Sequence, residues 1–221
     1  MGRRLLGSAM AVLVAGALFG SVGAQAGTPE VCGAASKGQT LLEGRRERIY
    51  SVRGYEPPNT ERIFGCLVWK GGISIFQLDR WPIHAPFCCG RWATVDTEAL
   101  AIHAPWVAYA ERFSGTDTSA STVAAMDLRQ GETSYCLVGG RRVPMRGPSV
   151  TGIVLGRNGH RAWIGESGWG TPEIGSCPST ERESNGEIIA SGDGIDLDSL
   201  ALHASTLTWT DSGNRRSAAL P

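Results

Sequence analysis

Ten residues occur twice in the chain, one hundred positions apart: LAIHAPWVAY at 100–109 and LALHASTLTW at 200–209, each following an aspartate, Asp96 or Asp196, and each ending on an aromatic. Internal similarity of this kind means that one supersecondary unit is repeated and that each unit buries its apolar face against a neighbour. The expected architecture is therefore an array. No segment beyond the first 26 residues holds a 3.6-residue apolar period for three turns, and short apolar and β-branched runs alternate with Gly-rich turns instead. The chain reads as all-β.

Anchoring the second strand of each unit on its aromatic places these strands at 49–50, 107–109, 161–163 and 207–209, with Tyr50, Tyr109, Trp163 and Trp209 separated by 59, 54 and 46 residues. A third and a fourth strand follow, joined by turns whose residues tolerate positive φ. Lys70-Gly71-Gly72 joins 63–69 to 73–78, Arg129-Gln130-Gly131 joins 123–128 to 133–138, and Ser184-Asn185-Gly186 precedes 187–190. The last unit, with strands at 207–210 and 216–220, runs out one strand short. Four-stranded meanders with an incomplete last member predict a β-propeller-like array of about four antiparallel blades, small or partial, in which the segment before Gly38 supplies the closing strand. A β-sandwich is the alternative that short strands and frequent turns also allow.

The phrases APWVAYAE with VAAMDLRQGE, GIVLGRNGHRAWIGESG and SGDGIDLDSLALHASTLTWTDSGNRRSAAL resemble blades of the TolB and WD40-like propeller repeats of secreted bacterial proteins. RERIYSV followed by RIFGCLVWKGG resembles their opening blade. The resemblance covers nearly all of residues 27–221 and implies a propeller fold and an exported location, but no reaction. Two departures stand out: His103 and His203 occupy turns where that pattern has glycine, and the insert 81–91 has no counterpart.

Residues 1–26 have the grammar of a signal peptide: Arg3 and Arg4, an uncharged apolar stretch over 5–24, and Ala24-Gln25-Ala26 as an A-x-A cleavage pattern. An uncleaved anchor is the competing reading of such a stretch. Residues 27–221 then form a single β-propeller-like domain with 19 basic and 21 acidic side chains, a formal charge of −2. That balance argues against nucleic acid as a partner, and no further segment is apolar enough to cross a membrane after cleavage. Six cysteines, an even number, in an exported chain read as disulfides. The expected pairs are Cys32 with Cys66 and Cys136 with Cys177, leaving the neighbours Cys88 and Cys89, although six cysteines allow fifteen pairings and sequence does not choose among them. No CxxC or HxxxH spacing supports zinc.

Candidate chemistry is sparse. His103 and His203 fall at equivalent turns, where they could point to a common axis or simply be turn residues tolerant of the left-handed region. His160 is a turn residue as well, and His84 lies in a Pro-rich loop. Asp193, Asp196 and Asp198 have the composition of a calcium loop without its spacing, and Asx turns are the simpler reading. Ser167, in Gly165-Glu166-Ser167-Gly168-Trp169-Gly170, is not in a nucleophile elbow, because the second glycine is misplaced and no helix follows. Trp81, Trp92 and Trp106 could stack on a ligand or pack between units, and Arg141, Arg142 and Arg146 form a local positive patch. With no catalytic, cofactor or metal motif, the expected function is a secreted, disulfide-stabilised, non-enzymatic binding or scaffold protein that meets a protein or envelope polymer through its loops. A metal-dependent hydrolase or lactonase-like enzyme, which requires carboxylates and histidines to converge, and a structural envelope protein without a specific ligand are the alternatives.

Overall fold

The structure is a computed structural model that describes residues 32, 38–55, 60–70, 72–78, 92–114, 119–138, 147–178 and 183–220. The signal-peptide reading of 1–26 and the pair Cys88 and Cys89 lie outside the described residues. The protein is all-β, as expected. The strands among the described residues form four sheets rather than the two of a sandwich.

Sheet 1 is a meander of β1 (Gln39–Glu43), β2 (Glu47–Tyr55), β3 (Thr60–Trp69) and β4 (Gly72–Gln77). Sheet 2 repeats the pattern with β5 (Trp92–His103), β6 (Trp106–Ser114), β7 (Ser119–Asp127) and β8 (Glu132–Leu137). Sheet 3 consists of β9 (Ser149–Leu155), β10 (Arg161–Glu166), β11 (Pro172–Cys177) and β13 (Glu187–Ser191); between the last two, β12 (Glu183–Asn185) returns to sheet 2 and pairs parallel with β8. Sheet 4 has three strands, β14 (Ala201–His203), β15 (Thr206–Asp211) and β16 (Asn214–Ala219). The second strands expected from the aromatics are β2, β6, β10 and β15, and the last sheet is one strand short.

One expectation needs correction. Ser184 and Asn185 do not make a turn but sit in β12, opposite Cys136 and Leu137. The cause is tertiary: the edge of β8 offers unpaired backbone groups, and the chain leaving Cys177 is already held beside it by the Cys136–Cys177 disulfide. Cys32 is bonded to Cys66 of sheet 1, and the rest of the segment expected to supply a closing strand lies outside the described residues.

The sheets stack through their faces. Ile49, Ile63, Leu67 and Leu78 meet Val107, Tyr109, Met126 and Leu128 between sheets 1 and 2. Ala110, Val123 and Val138 meet Val150 and Trp163 between sheets 2 and 3, and Ala162, Ile164 and Ile174 meet Leu207, Trp209 and Leu220 between sheets 3 and 4. Side chains alternate across a strand, so a sheet covered on both faces must be apolar at successive positions. β6 therefore reads Val107-Ala108-Tyr109-Ala110, all buried, whereas β15 in the terminal sheet alternates Leu207 and Trp209 with threonines. The first strands also succeed one another in space, with β1 beside β5, β5 beside β9 and β9 beside β14.

Both expected disulfides form: Cys32–Cys66 on the outer face of sheet 1, beside Tyr50, and Cys136–Cys177 from sheet 2 to sheet 3. The second closes a 41-residue separation. In the chain-entropy picture a loop of that size is worth about 4 kcal/mol. Replacing both Cys136 and Cys177 by alanine is expected to lower the urea-unfolding free energy by roughly that amount, while a loss below ~1 kcal/mol would show that the inter-sheet link contributes little.

Candidate interaction face

Strand direction sorts the turns to two ends. The β5–β6, β9–β10 and β14–β15 turns share one end: Gly159 of the β9–β10 turn lies against the Trp106 ring at the start of β6, and Gly156 lies near Leu220, just after β16. The opposite end carries the β6–β7 and β10–β11 hairpins and the connections between sheets. There Ser121 donates to the Pro148 carbonyl just before β9, and the Val138 N–H donates to the Ser121 carbonyl at 3.0 Å. Trp92, the first residue of β5, pairs with Ser114 at this same end. At this end the chain enters β5 after residues 79–91 and leaves β8 before residues 139–146; Trp81, His84, Arg141, Arg142 and Arg146, which those two stretches contain, lie outside the described residues. This is the loop-bearing end.

Trp169 is displayed there. The β10–β11 ladder runs in register to the pair Glu166 and Pro172, and the turn beyond it is tightly bonded. The Ser167 N–H donates to the Thr171 carbonyl at 2.8 Å, the Gly170 N–H donates to the Ser167 carbonyl at 2.9 Å, and Ser167 Oγ accepts from the N–H groups of Trp169 and Thr171. Gly170 supplies the positive φ of +79° that this turn needs. Ser167 is thus a turn residue, as expected, and its hydroxyl oxygen serves the backbone. Held by this frame, the Trp169 side chain is 85 % exposed. The clue available in the sequence was a tryptophan between two turn glycines.

The two segments 96–109 and 196–209, alike in sequence, also match in backbone hydrogen bonding. Asp96 Oδ1 accepts the Glu98 N–H at 3.1 Å, and Asp196 Oδ1 accepts the Asp198 N–H at 3.1 Å, the same Asx turn in each copy. After Asp96 three residues bulge out before Leu100 rejoins β6 opposite Tyr109; after Asp196, whose backbone N–H donates to the Thr210 carbonyl, the chain rejoins β15 with Ala201 opposite Thr208. His103 and His203 close the following hairpins opposite Trp106 and Thr206. Neither histidine occupies the left-handed region, contrary to the expected reason for a turn histidine; in the second hairpin Ala204 does, at φ 57°. A two-residue loop takes the unusual conformation at its own central residues, and the histidines are the strand residues flanking it.

Asp196 and His203 are not brought together. Asp196 is opposite Thr210 and His203 opposite Thr206, four residues apart along β15, or about 13 Å. Among the described residues no group of three His, Cys, Asp or Glu side chains is placed to hold a metal ion. Trp106 is half-buried and packs against Ala108, Ala125 and Leu155 between sheets 2 and 3, so it is not presented to a ligand. The chain matches no protein-family model, no curated protein and no solved structure.

The strongest buried polar group was not foreseen. Arg161, fully buried in β10, donates from Nε to the Val123 carbonyl at 3.1 Å, and from its terminal nitrogens to Ser134 Oγ at 3.0 Å, the Ser134 carbonyl at 3.1 Å and the Pro178 carbonyl at 3.3 Å. Burial pulls its guanidinium down to about 10, partly opposed by Tyr109, so it stays charged at neutral pH. Burial and the Arg161 charge likewise lower His160. On the other face of sheet 2, burial and then the charge of Glu111 push the Tyr135 hydroxyl from 10.0 up to about 12, against smaller lowering by Tyr109 and Thr133. Since the folded value lies above the unfolded one, protonated Tyr135 contributes stability that is complete below pH 10 and lost as pH rises toward 12. Thermal unfolding between those pH values is expected to fall less steeply for Tyr135→Phe than for the wild type. Parallel profiles would contradict the assignment.

Proposed function

We propose that the chain is an exported, disulfide-stabilised, non-enzymatic binding or scaffold protein of the cell envelope or extracellular space, whose four sheets form a small or partial β-propeller-like array. The array reading is supported by the meander in each unit, the face-to-face stacking and the succession of first strands β1, β5, β9 and β14. The two disulfides suit an oxidising compartment. The binding face is the loop-bearing end, and the observation that carries it is the rigid presentation of Trp169 at 85 % exposure. Large aromatics held in the open on a preorganised frame are costly to hydrate and are recurrent anchors of recognition.

The hydrolase alternative requires carboxylates and histidines in one site, whereas Asp196 and His203 lie about 13 Å apart along β15. Co-sedimentation of the purified protein with isolated cell envelopes of its source organism tests the binding reading. The wild type is expected to pellet with them, and Trp169→Ala to bind ~10-fold or more weakly at unchanged melting temperature, the effect of truncating an interface anchor. Equal binding by the variant would remove Trp169 from the interface. No binding by either would favour a structural protein without a specific ligand.

A further inference from the structure

The sheets leave their edges in different chemical states. β12 covers the edge of β8. β13, at the edge of sheet 3, opens with Glu187, and β16, at the edge of sheet 4, carries Arg215 and Arg216 side by side. Charges of this kind oppose the pairing of one edge with a like edge. β4, which ends sheet 1, has the sequence GISIFQ and no charge. Ile73 is 48 % exposed and Ile75 42 %, and Trp69 on the same hairpin is 42 % exposed, so this hairpin holds three of the five large exposed apolar side chains among the described residues.

The backbone of β4 is aimed outward at the same positions. The Leu78 N–H donates to the Ile63 carbonyl at 2.8 Å, which fixes the alternation of the antiparallel ladder. Gly72, Ser74 and Phe76 therefore turn their N–H and C=O groups toward β3, and Ile73, Ile75 and Gln77 turn theirs away from the sheet. The side chains of these three, register partners of Val68, Cys66 and Phe64, extend the outer face on which Cys32, Tyr50, Val52, Phe64 and Val68 pack.

We propose that β4 is a self-association edge, pairing antiparallel with β4 of a second copy about a twofold axis at Ile75, so that the two four-stranded sheets become one of eight strands. This register sets Ile75 against Ile75 and Ile73 against Gln77, so outward-facing groups meet outward-facing groups and about six backbone hydrogen bonds form. A second copy is the occupant that the charge pattern selects. β4 brings no charge to meet its own, whereas β13 carries Glu187 at its edge and β16 on β16 would crowd four arginines. The pairing also joins two apolar outer faces into one surface, and the isologous contact closes at a dimer.

Sedimentation equilibrium of the purified, disulfide-bonded protein over a dilution series tests this. The wild type is expected to dimerise. Ile75→Pro deletes the central one of the three outward N–H groups, at a position where an edge strand tolerates proline, and Ile75→Lys places like charges on the twofold axis. Both are expected to raise the dimer dissociation constant at least ~10-fold while circular dichroism stays unchanged. Should the proline variant fail to fold, the lysine variant decides. A wild type that is monomeric throughout, or a dimer that the folded variant leaves intact, overturns the proposal. A monomeric wild type that binds a synthetic peptide of the sequence of residues 72–77 would overturn it in favour of strand capture from another protein.

Discussion

The Arg161 guanidinium fixes how the central pair of sheets meets, and the flanking sheets are positioned by that pair. A buried cation without a carboxylate partner is tolerated only when its donors find fixed acceptors, because desolvation of the charge costs several kcal/mol. Here the acceptors are the Val123 carbonyl in β7, the Ser134 hydroxyl and carbonyl in β8, and the Pro178 carbonyl just after β11. One side chain thereby prescribes the relative placement of three strands from two sheets. The Cys136–Cys177 disulfide acts on the same strands, β8 and β11, and β12 completes the join by pairing with β8. Apolar stacking supplies most of the driving force but is non-directional. The hydrogen bonds of Arg161 supply the register.

From this join the rest follows outward. Sheet 2 offers its second face to sheet 1 through Val107, Tyr109 and Met126, and sheet 3 offers its second face to sheet 4 through Ala162, Ile164 and Ile174. The terminal sheets differ in what they leave to solvent. Sheet 4 leaves Arg215 and Arg216 of β16 exposed, while sheet 1 keeps an apolar outer face that Cys32 partly covers. Strand direction decides where the connections gather: meanders running in the same sense collect their inter-sheet connections at one end, and there the β10–β11 hairpin presents Trp169.

The strand plan was legible because it is written in local patterns. The aromatic of each second strand, the Gly-containing turns and the duplicated Asp-to-aromatic phrase mark the units, and the two Asx turns at Asp96 and Asp196 show that the duplication preserves backbone hydrogen bonding rather than chemistry. The histidines illustrate the limit of such reading: His103 and His203 correspond, as the repeat demands, yet they flank their loops instead of forming them. What escaped is non-local. Nothing in the tripeptide Glu183-Ser184-Asn185 favours a strand, which arises from the vacant edge of β8 and the adjacent disulfide. Arg161 looked like an ordinary strand residue, because its acceptors lie some thirty residues away in sequence in a different sheet. Trp169 was visible only as part of a turn, since exposure depends on how far a hairpin projects from its neighbours.

The role of Arg161 is tested most directly by urea unfolding of Arg161→Ala beside Arg157→Ala, which removes an exposed arginine from the neighbouring turn. If Arg161 sets the register of the central sheets, its loss leaves three carbonyl groups and the Ser134 hydroxyl short of a buried donor and lowers the unfolding free energy by about 3–5 kcal/mol, while Arg157→Ala stays within ~0.5 kcal/mol of wild type. Equal, small effects for the two variants would contradict it, and the join between sheets 2 and 3 would then rest on apolar packing and the disulfide alone.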